Sequence, residues 1–324
     1  GDVYKRQAFL LYYGRLSPSA AFLADILECG HRTQFGQRQA NASLFDTDAH
    51  AKCRCIRDLL LFLAIECLNL EAALDVVPEG IAAPDDAALA PLATDPDALE
   101  RCLVQLEKAA SDVAYAPLLL SFALVLRRLD EVGSHTPLEP RLAATLDVVD
   151  HGPQIWRRLL QGAFDPSMQL FDTLHSLVTS PLLRTATRAL GASNLSALAY
   201  RAVFKGLLLT ITELVQPEYL PDLDPLVDLW CLTFRAMPGD VPDGIAALCT
   251  QFWTQDIQYP TRASLLDTVR RRFPASFLPL VRLAHALSGT APDAPSPDTV
   301  TAMMNALAHV SSVALILPQR TAGL

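Results

Sequence analysis

The sequence predicts an all-α protein: an irregular solenoid of stacked antiparallel helices, similar to HEAT and armadillo arrays, with no sheet. Leu and Ala are abundant and only 14 of the 324 residues are Gly, a composition that favours helices over strands. Apolar residues recur at helical spacing along the whole chain, which indicates helices with a buried face. No sustained alternation of apolar and polar residues, the pattern of a half-buried strand, accompanies them.

Three segments carry an apolar stripe with charged residues opposite, as expected of helices that bury one face. The apolar positions are Leu99, Cys102, Leu103, Leu106 and Ala110 in the first; Ile155, Trp156, Leu159 and Leu160 in the second; and Leu265, Leu266, Val269 and Phe273 in the third. Arg157 and Arg158 lie opposite the second stripe, and Arg262 and Arg270 lie opposite the third. We therefore expect all four arginines to be exposed.

Other segments are apolar almost all round, namely residues 59–65, 118–126 and 207–211. A helix of this kind has to be covered by several neighbours. A stack in which fully buried helices alternate with amphipathic ones accommodates both kinds, and this is the reason for predicting a solenoid. The spacing of the helices follows no strict repeat period.

Prolines and short polar residues mark the predicted helix starts. Proline suits the first helical position because the N–H group that it lacks would have no partner there. The predicted starts are at Pro18, Pro117, Pro153, Pro166, Pro181, Pro242 and Pro297. Side-chain oxygens can accept the free N–H groups at such starts, and the candidate caps are Asp46, Asp165, Ser180 and Asp243.

We expect residues 8–324 to form a single helical solenoid segment of a larger domain. Residues 1–7, which include Asp2-Val-Tyr-Lys-Arg-Gln7, resemble the translated end of a sequencing adapter, so they do not contribute to the fold prediction. Polar or Pro-rich composition predicts loops near residues 30–45, 78–96 and 289–297.

The charge of the chain argues against nucleic-acid binding. Its formal net charge is −9, whereas affinity for phosphate backbones comes from clustered Lys and Arg. The basic run Arg270-Arg-Arg272 lies at a predicted helix end, where positive charge complements the carbonyl dipole. The seven cysteines are odd in number and form no paired framework, which indicates a reduced compartment, the cytosol or the nucleus.

Residues 299–319 contain no formally charged side chain and are long enough to cross a bilayer. Polar residues such as Thr301, Asn305 and Ser311 interrupt this segment, and they are costly in hydrocarbon. We therefore predict a helix that is buried between two neighbours, and no direct membrane span.

One group of side chains could in principle bind zinc: Cys29, His31, His50, Cys53 and Cys55. Their Cys-x-Cys and Cys-x-His spacings differ from those usual in zinc sites. Free cysteines often serve as small buried apolar residues. We therefore expect no metal site here.

Two pairs of carboxylates could hold a divalent cation, Asp46 with Asp48 and Asp222 with Asp224. Both pairs precede predicted helices, where carboxylates cap free N–H groups, so capping is the favoured interpretation. No Gly-rich phosphate loop, nucleophile elbow or paired-histidine zinc motif is present in the sequence. We expect no catalytic residue, no cofactor and no enzymatic activity.

Several segments follow one another in an order that is informative as a whole. Residues 9–18 are rich in Leu and aromatic side chains and end in Ser-Pro. Phe35-Gly-Gln-Arg-Gln-Ala-Asn41 comes next, and the apolar segments 58–66 and 115–127 follow it.

Later in the chain, Phe252-Trp253 and residues 265–269 precede the segment 273–283, which contains two prolines among apolar residues. In this order the segments resemble the N-terminal solenoid of the nucleoporin 188 family, which are large scaffold proteins in the inner ring of the nuclear pore. The resemblance covers nearly the whole chain after residue 8. The related nucleoporin 192/205 family shares this architecture and stays an alternative.

The resemblance implies a curved helical scaffold, located in the nuclear pore complex at the nuclear envelope. Such a scaffold would bind linker nucleoporins and FG-repeat nucleoporins and support nucleocytoplasmic transport of protein and mRNA. The resemblance transfers no partner-binding residue to this chain. A soluble HEAT-repeat transport receptor or adaptor is the alternative function.

Overall fold

The computed structural model describes residues 19–35, 42–75, 95–109, 112–133, 155–183, 194–235, 242–259, 261–289 and 297–308. Within these ranges the regular structure is entirely helical, and they contain no strand. The prediction of an all-α fold is confirmed. The proposed adapter residues 1–7 lie outside the described ranges, as do most of the loops predicted near residues 78–96 and 289–297.

The described α-helices are α1 (Ala20–Thr33), α2 (Thr47–Cys67), α3 (Leu70–Asp75), α4 (Pro96–Lys108), α5 (Ala116–Gly133), α6 (Ile155–Ala163), α7 (Leu170–Val178), α8 (Asn194–Leu214), α9 (Asp224–Phe234), α10 (Pro242–Thr254), α11 (Ser264–Arg272), α12 (Leu278–Leu287) and α13 (Pro297–Ala308). Short 3₁₀ turns join some of them, at Ala42–Leu44, Val113–Tyr115, Pro166–Met168, Pro181–Leu183, Pro217–Tyr219 and Asp256–Gln258.

Prolines begin helical elements at most of the predicted positions that the structure describes. Pro242 and Pro297 are the first residues of α10 and α13, and Pro117 is the second residue of α5. Pro166 and Pro181 instead begin 3₁₀ turns. The remaining two predicted starts, at residues 18 and 153, lie outside the described residues.

Two of the predicted caps are confirmed. Asp46 Oδ1 accepts the N–H of Ala49 at 2.7 Å at the start of α2, and Asp165 Oδ1 accepts the N–H of Ser167 at 2.8 Å. The cap predicted at Ser180 is wrong. Its hydroxyl donates to the buried Asp58 carboxylate at 2.7 Å and so ties this turn to α2.

The predicted burial of the apolar segments is confirmed. Residues 118–126 are buried throughout α5, and the apolar stripes of α4, α6 and α11 face the core. Arg157 and Arg158 are exposed as expected. The expectation of an exposed Arg262 is wrong, since this side chain is 6% exposed. Arg262 lies between the carboxylates of Glu213 and Asp256, and the helical period of the sequence cannot predict these contacts.

The loop predicted near residues 30–45 begins later than expected, because α1 continues to Thr33. The chain then turns at Gln34, whose φ of 48° is left-handed, and the Phe35 ring folds back over Gly30. A Cβ at Gly30 would lie only 2.6 Å from Phe35 Cε1, so glycine is required there. The fully buried Phe35 ring thereby packs against the C-terminal turn of α1.

Helix α8 lies at the centre of the described packing. It contacts α2, α3 and α5 from the preceding part of the chain and α9, α10 and α11 from the following part. Around this centre, α1 packs on α4, α5 on α6, and α9 on α12. In a simple solenoid each repeat contacts only its neighbours. Helix α8 instead contacts helices from distant parts of the sequence. The solenoid arrangement therefore stays a prediction.

The segment at 299–319 is described only as far as residue 308. Helix α13 contacts α10 and α12, but Met304 is 58% exposed and Asn305 is exposed as well. The prediction of a helix buried between two neighbours is therefore wrong for this part. Among the described residues, no helix is both long enough and apolar enough to cross a membrane.

Candidate functional site

The five residues considered as zinc ligands lie in two helices. Cys29 and His31 belong to α1, whereas His50, Cys53 and Cys55 belong to the first half of α2. The His50 ring packs edge-on against Phe45 with ring centroids 5.7 Å apart. In the described part of the chain, no group of three or more His, Cys, Asp or Glu side chains could hold a metal ion.

The paired carboxylates act at helix starts. Asp46 caps α2, while Asp48 forms an exposed ion pair with Lys52 at 2.6 Å. Asp222 Oδ1 accepts the N–H of Asp224, the first residue of α9, at 3.0 Å. The capping interpretation is confirmed for Asp46, and Asp222 satisfies a backbone donor in the same manner.

Two buried cations four residues apart distinguish α8. Arg201 is 2% exposed and Lys205 is 1% exposed, and both lie in a helix that is otherwise largely apolar. Side chains at this spacing lie on the same face of a helix. Burying a charge is costly unless it is paired, so each of these cations needs anionic or carbonyl partners.

The Lys205 ammonium bridges two carboxylates from distant parts of the chain. Its Nζ lies 3.0 Å from Asp256 Oδ2, in the 3₁₀ turn after α10, and 3.0 Å from Glu71 Oε1 on α3. The adjacent Gly206 lets α3 approach, since a Cβ there would lie 3.0 Å from Glu71 Cγ. The lysine thus connects α3, α8 and the end of α10.

Arg262 extends this group of charges. Its Nη1 lies 3.6 Å from Asp256 Oδ1 and its Nε lies 3.8 Å from Glu213 Oε2 on α8. The Tyr259 ring covers the guanidinium, with the Cζ atom 4.2 Å from the ring centroid, an arrangement that favours the cation. We refer to Glu71, Lys205, Glu213, Asp256 and Arg262 as the Lys205 cluster.

Burial dominates the electrostatics of the acids around the cluster. It raises the pKa of Glu66, at the end of α2, to about 7, and the negative charge of Glu71 adds to the effect. Burial also raises the pKa of Glu213, although the positive charges of Arg128 and Arg262 oppose the shift. Burial thus raises the free energy of the charged form of both acids.

Arg201 serves a different purpose at the end of α9. Its Nη1 donates to the carbonyl oxygens of Thr233 at 2.7 Å and Arg235 at 3.1 Å, and its Nε donates to Leu183 O at 3.1 Å. The last carbonyls of a helix lack partners within the helix. The Arg201 guanidinium donates hydrogen bonds to carbonyls at the end of α9, so it holds that end against α8.

The Lys205 cluster is suited to holding helices together. Its central ammonium is 1% exposed, and Asp256 beside it is 4% exposed. A general acid or base has to come within hydrogen-bond reach of the group it acts on. Neither side chain is accessible to a dissolved substrate in this structure, so the arrangement favours a structural role.

Sequence reasoning missed Arg201 and Lys205. The available signal was the i, i+4 spacing of two cations inside an apolar helix, because such a pair has to be buried with partners. The identity of those partners depends on the tertiary fold, since residues 71 and 256 lie more than 50 positions away on either side.

An exposed apolar surface lies at the start of α12. Phe277 is 58% exposed, Leu278 62% and Val281 42%. Helix α12 buries its other side, including Leu280 and Leu283, against its neighbours. We refer to Phe277, Leu278 and Val281 as the α12 surface. Apolar surface of this kind, in a polar surrounding, is typical of a binding site for another molecule.

Comparisons with known proteins return no relative: no protein-family model matches the chain, and no curated protein matches it. The family resemblance therefore depends on the ordered motifs between residues 9 and 283 alone.

Proposed function

We propose that this chain is part of a structural scaffold in the inner ring of the nuclear pore complex, where it binds other nucleoporins and supports nucleocytoplasmic transport. The proposal joins two kinds of support. The ordered motifs resemble the nucleoporin 188 family, and the all-α fold is the class that this family requires.

The single observation that carries a binding role is the α12 surface. Its three apolar side chains are 42–62% exposed on a helix whose opposite side is well packed. Exposing large apolar side chains to water is unfavourable, so a partner that covers them gains free energy on binding. A scaffold that assembles with other proteins needs surfaces of this type.

Buried charges favour a rigid body behind that surface. The Lys205 cluster and the Arg201 contacts tie α3, α8, α9 and the turn at Asp256–Gln258 together. Separating any of these elements would leave buried ions without partners, which is costly. Such rigidity is useful in a scaffold, because a preorganised surface loses little conformational entropy when it binds.

Fluorescence recovery after photobleaching of the tagged full-length protein in cells tests the proposal. A scaffold should concentrate at the nuclear rim and exchange slowly after bleaching. Rapid exchange at the rim would instead support a soluble transport receptor. A signal without any enrichment at the rim would overturn both functions.

A further inference from the structure

The α12 surface has a defined geometry. Leu278 and Val281 are three residues apart, so their side chains share one face of α12, and Phe277 precedes them at the helix start. The Phe277 ring lies against the half-buried Phe273, with ring centroids 5.9 Å apart. The three exposed side chains therefore form a continuous apolar strip about one helical turn in length.

Positive charge borders this strip. Arg271 and Arg272 end α11 and are exposed, and in the described part of the chain neither forms an ion pair. The backbone N–H of Ser276 donates to Arg272 O at 2.8 Å, which holds the end of α11 close to the start of α12. The backbone of Arg272 thus lies close to that of Ser276, the residue before Phe277, and Arg271 adjoins it in sequence, in a chain whose net charge is −9.

Two other arginines of α11 and α12 form ion pairs. Arg282 of α12 forms an ion pair with Asp228 of α9, and Arg270 forms one with Asp267 at 3.0 Å. Among the described residues, Arg271 and Arg272 are therefore the arginines of α11 and α12 that form no ion pair. A partner that places carboxylates beside them would be attracted, whereas one that places cations there would be repelled.

We propose that the α12 surface binds a short segment of another protein in which apolar anchor residues are flanked by Asp and Glu. The anchors would cover Phe277, Leu278 and Val281, and the carboxylates would pair with Arg271 and Arg272. This inference rests on the proposed function, since it names the chemistry of a partner that the scaffold would hold. An amphipathic helix with anchors three or four residues apart matches the length of the strip.

An anionic membrane is a poorer match to the same side chains. Recognition of anionic lipids generally uses clusters of about four to eight basic residues, whereas in the described part of the chain only two arginines of α11 and α12, Arg271 and Arg272, form no ion pair.

Fluorescence anisotropy with two designed peptides tests this proposal on the full chain. Both probes are amphipathic helices of about 15 residues with Leu and Phe anchors, one flanked by Glu and the other by Lys. The Glu peptide should bind at least about tenfold more tightly than the Lys peptide, and the preference should shrink with added salt. Equal binding of the two peptides, or binding of neither, would overturn the proposal.

Two variants separate the apolar and the ionic contributions. Leu278→Ser should weaken binding of the Glu peptide by about tenfold, as expected for loss of one buried side chain. Reversal of both charges, Arg271→Glu with Arg272→Glu, should reverse the preference so that the Lys peptide binds more tightly. Val104→Ser is the matched control, since Val104 on α4 is also 42% exposed and should leave both affinities unchanged.

Vesicles of phosphatidylcholine with phosphatidylserine distinguish the remaining alternative. Binding to these vesicles that is lost in Leu278→Ser, without binding of the Glu peptide, would overturn the proposal in favour of a membrane site. If the α12 surface does not bind acidic peptides, slow exchange of the protein at the nuclear rim is still expected. If the scaffold function is wrong, retention at the rim is lost while the Glu peptide still binds. The two proposals are therefore tested independently.

Discussion

The Lys205 ammonium lies 3.0 Å from the Asp256 carboxylate, although the two side chains are only 1% and 5% exposed. An ion pair removed from water in this way loses much of its hydration, and only close contact and further partners offset that loss. Glu71 and Arg262 supply those partners. The pair joins the central helix α8 to the turn that follows α10, so it helps determine how these elements are arranged.

Lys205→Met should destabilise the fold strongly. Removing one partner leaves the Asp256 carboxylate buried with only Arg262 nearby, and breaking a buried pair typically costs about 3–5 kcal/mol. The urea midpoint of unfolding measures the effect. Lys52→Met is the matched control, because Lys52 and Asp48 form a pair whose side chains are 61% and 70% exposed, and it should leave the midpoint unchanged.

Combining Lys205→Met with Asp256→Leu distinguishes loss of the ion pair from loss of packing. The double variant buries no carboxylate at residue 256, so its loss of stability should be smaller than the sum of the losses in the two single variants. If the effects of the two single substitutions simply add, then the two side chains are not energetically coupled.

The sequence was sufficient to predict the parts of the fold that depend on local pattern. Residues 118–126 are apolar almost all round, and this part of α5 is buried throughout. The stripe at Leu265, Leu266 and Val269 likewise faces the core of the protein. In each case the hydrophobic effect acts on a property of the segment itself, so the helical period is enough to predict burial.

The candidate sites depend on contacts between distant segments, which the period cannot show. Arg262 was expected to be exposed because it lies opposite an apolar stripe, yet Glu213 of α8 and Asp256 stabilise it in a buried position. The α12 surface shows the same limit of the sequence pattern. Phe277 and Leu278 are apolar but exposed, and only the position of neighbouring helices determines that.

Leu124→Asp should destabilise the protein by several kcal/mol, because α5 is buried and Leu124 is 0% exposed. The carboxylate would enter an apolar environment without a partner, a change that costs at least about 2–5 kcal/mol. Thermal unfolding followed by circular dichroism measures the loss. Val104→Asp, on the exposed side of α4, should leave the melting temperature nearly unchanged. An unaltered melting curve for Leu124→Asp would show that α5 is not buried.

Thiol labelling should divide the cysteines into two classes. Cys29, Cys53 and Cys55 are half-buried and should react with iodoacetamide in the native protein, whereas the buried ones should react only after unfolding; these are Cys67, Cys102, Cys231 and Cys249. Burial also raises the pKa of Cys102 to about 12 and that of Cys231 to about 11. Since the thiolate is the nucleophile, both effects slow the reaction.

Mass spectrometry of labelled peptides, taken over time, measures these rates at each position. Among the half-buried thiols, Cys55 should react more slowly than its accessibility alone suggests, because burial and the charge of Asp58 raise its pKa. Protein unfolded in urea is the control, in which all seven cysteines should react at similar rates. Native labelling of Cys102 as fast as that of Cys53 would contradict the packing of α4 against α1.

Glu66 should make the protein less stable as the pH rises from about 4.5 to about 7. Burial, helped by the charge of Glu71, raises the pKa of Glu66 in the folded protein to about 7, whereas an unfolded Glu titrates near its ordinary value of about 4.3. Between these values the folded state holds more protons than the unfolded state, so raising the pH favours unfolding. The loss is complete about one pH unit above the folded pKa and amounts to roughly 3–4 kcal/mol.

Glu66→Gln removes this titration, so its stability relative to the natural chain should depend on pH. The variant should gain little at about pH 4.5 and should be the more stable protein at about pH 8, as measured by urea unfolding at each pH. Glu107→Gln is the matched control, since the Glu107 side chain is 58% exposed and its substitution should not produce a growing difference. A constant difference between Glu66→Gln and the natural chain across this range would mean that Glu66 ionises as readily in the folded protein as in the unfolded chain.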